Sequence, residues 1–227
     1  MQSTRKMQSG GGDPWGWLCG LLTLALAASG AMADAQQPVT VRTPATPLVV
    51  HDPYFSIWSF DDTLNGGPTR HWTGVEQQLN GIVRIDGHPF RFMGDEQDIP
   101  PLPQVARAIW PTRTIYEFEG QGIHLTATFL TPALPQDLDV LSRPLTYLTW
   151  SVRSTDGGPH AVELLLSASA QLAVDNEQET VVWGTSRVGD MTVLHVATTS
   201  SLCSKRPATT CALTGAGRIW RSLRNLA

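Results

Sequence analysis

From Val39 to Thr198 the apolar residues of this chain recur at every second position rather than every third or fourth. A period of two sends successive side chains to opposite faces of an extended backbone, so this pattern argues against a helical fold and for strands with one covered face. "TIYEFEGQGIHLTATFL" (114–130) shows it best. Tyr116 and Phe118 alternate with polar neighbours, Gly120-Gln121-Gly122 supplies a turn, and Ile123, Leu125, Ala127 and Phe129 share the next face, which predicts a hairpin. "LTYLTWSVRSTDGGPHAVELLLSASA" (145–170) reads as a second hairpin, with a strand over Tyr147–Val152, a turn at Asp156-Gly157-Gly158, and Val162, Leu164, Leu166 and Ala168 on one face. A third pair turns around Gly189-Asp190, with Val193, His195 and Ala197 on one face and Leu194 and Val196 on the other.

Proline-rich connectors at 99–104 ("IPPLPQ") and 131–139 ("TPALPQDLD") cannot lie inside central strands, because proline offers no ladder donor. No ten-residue stretch after Ala35 holds a helical period without glycine or proline. Many short strands joined by Gly/Pro turns define an all-β protein, an antiparallel β-sandwich. The tryptophans of the body, Trp58, Trp72, Trp110, Trp150 and Trp183, are mostly expected in its core.

The two ends differ from this body. Arg5 and Lys6 precede the apolar run 15–30, and Ala31-Met32-Ala33 and Ala33-Asp34-Ala35 are small-x-small cleavage sites. Residues 1–35 therefore read as a secretory signal peptide, the run being shorter than the ~20 residues a spanning helix needs. The expected product is secreted or periplasmic, with no membrane attachment after cleavage. Residues 36–200 form the β-sandwich domain and contain no cysteine. The chain has 16 Lys and Arg against 20 Asp and Glu, and five of those bases but none of the acids fall in 201–227. An acidic body argues against nucleic acid as a partner.

Residues 52–58 ("DPYFSIW"), 71–74 ("HWTG"), 81–87 ("GIVRIDG") and 92–94 ("FMG") resemble the N-terminal region of the fungal-type extracellular glutaminase A family and its bacterial relatives. The likeness continues through 111–118 ("PTRTIYEF"), 137–150 ("DLDVLSRPLTYLTW") and 187–194 ("RVGDMTVL"), in that family's order. The resemblance implies a β-sandwich followed by a larger helical barrel that carries the catalytic carboxylates, with hydrolysis of L-glutamine to L-glutamate and ammonia belonging to the full-length protein. It leaves the catalytic residues no positions to land on in this chain. The expected partner is the missing C-terminal helical-barrel domain, and the sandwich is expected to be incomplete at its C-terminal end.

The basic tail also has an explanation in the resemblance. Thr209 to Gly215 can be encoded by bases that, read one nucleotide earlier, spell Asp-Asp-Leu-Arg-Ile-Asp-Trp, which is family-like at this place. The same shift turns Leu202-Cys203-Ser204 into Pro-Val-Leu, and Arg218 to Leu223 into Tyr-Leu-Ala-Val-Pro. Residues 201–227 are therefore expected to be an out-of-frame, non-native tail entered near Thr199–Ser201, and Cys203 and Cys211 accidents of frame.

Within the body, no catalytic, cofactor or metal site is expected. His51-Asp52 and His71 near Asp61-Asp62 lack metal-ligand spacing, and "DEQD" (95–98) lacks the alternation and glycine of an EF-hand loop. Asp61/Asp62 and Glu117/Glu119 are too close in sequence to define two carboxyls across a cleft. Ser151, Ser167 and Ser169 have no nucleophile-elbow context. One loop stands out: "NGGPTRHWTG" (65–74), where glycines flank Arg70, His71 and Trp72. Its make-up suits docking on a second domain or lining a groove. An alternative reading of the whole chain is a glycan-binding or glycosidase-accessory module, since aromatic loops suit sugar faces.

Overall fold

The alternating segments become strands in the computed structural model, which describes residues 42–174, 176, 178–199 and the backbone of 211–214. The expected signal peptide at 1–35 and nearly all of 201–227 lie outside the described residues. The strands are β1 (Thr46–Val50), β2 (Ser56–Ser59), β3 (Arg70–His71), β4 (Leu79–Ile85), β5 (His88–Met93), β6 (Gln104–Trp110), β7 (Arg113–Gly120) and β8 (Ile123–Leu130). They continue as β9 (Tyr147–Ser154), β10 (Val162–Ala168), β11 (Val181–Val188), β12 (Met191–Thr198) and β13 (Cys211–Thr214). Among the described residues one short helix, α1 (Leu138–Leu141), and a 3-10 turn at Ala170–Ala173 interrupt them. All pairings between these strands are antiparallel, in four sheets ordered β1-β2-β3, β10-β4-β5, β6-β7-β8-β9 and β11-β12-β13. The chain is the all-β sandwich its sequence predicts, without barrel closure.

The β7–β8 hairpin forms where the period and the turn residues place it. Gln121 and Gly122 both adopt the left-handed region (φ 53° and 76°), as a two-residue turn that matches the twist of its strands demands. Asp86 and Gly87 (φ 49° and 88°) close β4–β5 in the same way. Tyr116, Phe118, Leu125 and Phe129 point inward and are wholly or almost wholly buried, meeting Phe92, Met93, Val83 and Ile85 of the β4–β5 hairpin in one apolar cluster. Phe92 packs edge-on against Phe118 with centroids 6.0 Å apart, and Tyr116 meets Phe129 edge-on at 6.3 Å. Fully burying a side chain of this size is worth roughly 1.5–3 kcal/mol, so these rings bind the two sheets more firmly than the surface ion pairs could.

The segment 145–170 departs from the hairpin expected of it. β9 pairs with β8, whereas β10 pairs with β4 in another sheet, Val162 opposite Ile85 through Ala168 opposite Leu79. The turn at 156–158 thus carries the chain across the sandwich rather than back along its own edge. Both strands have an apolar face to cover, and Leu148, Trp150 and Val152 from β9 and Leu164, Leu166 and Ala168 from β10 pack on the same core cluster. Facing strands bury these sets against one another, where edge pairing would line them up on one side.

The proline connector at 99–103 also behaves as its chemistry requires. It makes no named strand, yet it runs beside β5: Arg91 N–H donates to Pro100 O, and Leu102 N–H to Arg91 O, both at 2.8 Å. Asn65, buried, donates through its amide to Arg91 O (3.1 Å) and Leu102 O (2.8 Å), tying the glycine-rich segment to both. The tryptophan expectation fails. None of the five lies in the fully buried set, which takes its rings from phenylalanine and Tyr116. Trp150 only packs partly against the core and Trp183 is exposed, while Trp72, in the loop set apart from that expectation, is exposed as well.

Candidate functional site

The residues singled out at 70–72 start as a strand rather than a loop. Arg70 and His71 form β3 at the edge of its sheet, with Ile57 opposite His71 and Trp58 opposite Arg70. The chain then reverses at once: Gly74 N–H donates to His71 O (2.8 Å) and His71 N–H to Val75 O (2.7 Å). Gly74 turns with φ 93°, a conformation L side chains rarely adopt. Arg70 braces this reversal, its guanidinium donating to Gly74 O (3.2 Å) and pairing with Glu76 (2.9 Å).

Both aromatic groups of the turn hang from one acceptor. Trp72 Nε1–H donates to Pro53 O at 2.7 Å, and His71 Nε2 lies 3.0 Å from the same oxygen. A carbonyl can only accept, so Nε2 carries the proton and Nδ1 accepts from the Thr73 hydroxyl at 2.8 Å. The 52–58 block presents this carbonyl through a second local device. Asp52 Oδ1 accepts from Tyr54 N–H (2.7 Å) and Phe55 N–H (3.1 Å), an Asx turn that fixes the segment before β2. Two sequence blocks some twenty residues apart thus meet at a single point.

What they present is apolar and outward. Trp72 remains 55% exposed although its indole N–H is satisfied, and Tyr54 and Val75 are also exposed. The 131–146 loop carries further exposed apolar residues. Its neck is drawn together by the Thr131 and Thr146 hydroxyls at 2.6 Å, and Thr146 Oγ1 lies 3.5 Å from Nε2 of His51, two residues before Pro53. His51 stacks on Phe55 (centroids 5.5 Å), and burial lowers its pKa against the opposing pull of Asp52. Between the threonines, Leu134, Leu138, Leu141 and Leu145 are all exposed, and α1 buries none of its residues. Large side chains held in fixed positions yet left in water are the ordinary make-up of an interaction surface.

The other candidate residues are accounted for locally. Asp62 pairs with Arg42 at 2.6 Å, and in the 95–98 turn Glu96 accepts from Asn80 at 3.0 Å. Glu117 and Glu119 flank His124 on the outer face of β7–β8, at 3.6 and 3.5 Å from its two ring nitrogens, on one side of a sheet rather than across a cleft. Among the described residues no group of three or more histidine, cysteine or carboxylate side chains is arranged to hold a metal ion. No helix there is long and apolar enough to cross a membrane.

One cluster has no sequence signal at all. His160 Nδ1 lies 2.7 Å from Asp86 Oδ2, and its Nε2 lies 3.1 Å from Asp156 Oδ1. The ring therefore bridges the β4–β5 turn and the crossing after β9. Asp86 Oδ1 also accepts from Ala161 N–H, and Asp156 from Gly158 N–H and the Ser154 hydroxyl. The hydrogen bonds to the two carboxylates raise the His160 pKa. Asp156 is held down to about 2, first by the Gly158 amide and then by His160 and Ser154. Gly122 closes over the pair so tightly that a Cβ there would meet Asp156 Oδ2 at 2.4 Å. The three residues are 74 and 70 positions apart at their widest pairings, so only the crossing of the chain between sheets brings them together.

The described residues thus form an antiparallel sandwich with an anchored, exposed aromatic turn. Residues 21–102 match a family described as Domain of unknown function (DUF4964), and residues 112–212 one described as Domain of unknown function (DUF5127). The chain is 29% identical over 163 residues to a protein named Glutaminase A from Aspergillus oryzae. That alignment takes in 68% of this chain but only 24% of the relative's length. These matches relate the chain to the glutaminase A family. No solved structure matches it.

Proposed function

We propose that this chain is the non-catalytic, N-terminal sandwich portion of a secreted glutaminase-type amidohydrolase. Hydrolysis of L-glutamine to L-glutamate and ammonia belongs to a larger helical domain, which the sandwich positions. The observation that carries the reading is Trp72: its indole is pinned to Pro53 O while most of a large apolar ring faces water. An exposed ring ordered in advance loses little entropy on docking, which makes it an anchor for a second domain. The relation to glutaminase A supplies the reaction class. The strongly basic, acid-free character of 201–227, together with three family-like segments recovered by one shift, supports reading that tail as out of frame.

The test pairs sequence and activity. Sequencing the locus across codons 195–230 is expected to reveal a frame that continues as Asp-Asp-Leu-Arg-Ile-Asp-Trp and runs on for several hundred codons. The purified chain should release no ammonia from glutamine, whereas the longer product should, and Trp72→Ala should weaken association between sandwich and remainder. Glutamine turnover by the chain alone would overturn the proposal. A saturable tryptophan-fluorescence change with oligosaccharides would instead favour a glycan-binding module.

A further inference from the structure

Among the described residues β11 is an edge strand of its sheet. β12 lies beside it and the β13 backbone covers the far side of β12, while among the described residues β11 has no substantial packing contact with any other element. Which of its backbone groups face outward follows from one bond. Thr199 N–H donates to Thr180 O at 2.9 Å, so that pair is hydrogen-bonded. Antiparallel pairs alternate, and the β11–β12 register runs without a shift from Val181 opposite Thr198 to Val188 opposite Met191. The inward-bonding residues of β11 are therefore Val182, Gly184, Ser186 and Val188. The N–H and C=O groups of Val181, Trp183, Thr185 and Arg187 point away from β12.

Proteins normally blunt such an edge with lysine, proline, an inward-facing charge or a bulge. β11 has no Lys, Asp, Glu or Pro and no bulge, and Arg187 is its one charge. It also exposes Val182, Trp183 (83%) and Val188, beside Met191 and Leu194 of β12.

We propose that the β11 edge is a self-association site, at which a second copy of this chain adds its own β11 in antiparallel orientation. A two-fold axis matches the strand to itself, so every outward N–H finds a carbonyl without any partner of different design. The charges agree with this occupant. Because Arg187 lies near the end of β11, the two copies of it fall at opposite ends of the shared ribbon, apart from each other. Trp183 of each copy then covers apolar surface across the seam. The inference is independent of the glutaminase reading, since it uses no residue of the Trp72 surface and no activity.

Sedimentation velocity on the purified chain tests it, with a thermal melt to monitor folding. The native chain is expected to show a concentration-dependent dimer. Thr185→Pro removes an outward N–H that makes no bond to β12, so the hairpin should survive and the dimer should be lost over the range in which the native chain forms it. If the proline variant fails to melt cooperatively, Thr185→Lys decides. It sets two ammonium groups close to the seam, so dimer should vanish at low salt and return at high salt. A native chain that stays monomeric at every concentration, or a dimer that persists in whichever of these variants is folded, overturns the proposal.

Discussion

Residues 46–130 and residues 147–198 are written in the same alternating pattern but bury it unequally. In the first stretch β1, β2, β4, β5, β7 and β8 contribute most of the fully covered apolar side chains, Phe92 and Leu125 among them. In the second only Val162 and Leu172 reach that state among the described residues. β9 and β10 lie against the core with their inward residues partly open, and of the β11–β12 hairpin only Val196 joins it. Alternation specifies that a strand has an apolar face. How completely the face is covered depends on what lies opposite, and here β4–β5 and β7–β8 are closed on each other by large rings while the later strands meet the margin of that core.

The largest test of this contrast is a pair of truncations. Phe92→Ala should cost about 3–5 kcal/mol in chemical denaturation, through lost burial and a cavity between the sheets. Leu165→Ala on β10, half exposed, should stay within about 0.5 kcal/mol. Comparable losses at both would mean that the later strands are as firmly packed as the earlier ones.

Gly81→Ala probes the same core from the backbone side. An added Cβ would sit 2.4 Å from the buried Phe92 ring, at the register shift of β4, and neither backbone nor ring can easily withdraw. Overpacking of this kind costs about 1–3 kcal/mol, readable as a lowered denaturation midpoint at unchanged slope.

The smallest expected effect lies where the two regions are clasped. The raised pKa of His160 means that its contribution is fully present below its ordinary value near 6.5 and is lost as pH rises through the higher folded value. Asp156, held at about 2, contributes above its ordinary 3.8 and loses that contribution as pH falls toward 2. Melting temperature should therefore be greatest between these limits. His160→Gln should flatten the upper slope, and a variant that keeps it would show the clasp to be irrelevant to stability.

The structure bears out the sequence reading unevenly, for physical reasons. The β7–β8 hairpin was legible because its period, its Gly-Gln-Gly turn and its partner are all local. The β9–β10 pair was not, since a period of two marks a strand without naming the strand it will pair with. Phe92, not a tryptophan, fills the centre, and its ring lies over Gly81, where the missing Cβ leaves it room. At the candidate site, glycines around Arg70, His71 and Trp72 marked an unusual loop, but nothing in composition points to Pro53 O as its anchor. The Asp86–His160–Asp156 cluster was equally hidden, because its members lie on connections between different sheets.

The pairing of β10 with β4 has a consequence in time. A chain emerging N-terminus first completes β4 and β5, and then β6 to β9, before the strand that covers the outer edge of β4 exists. Throughout that interval Leu79–Ile85 offers an open template to any extended segment nearby, its own siblings included. Folding of this sandwich is therefore a race between the arrival of Val162–Ala168 and capture of that edge by the wrong strand.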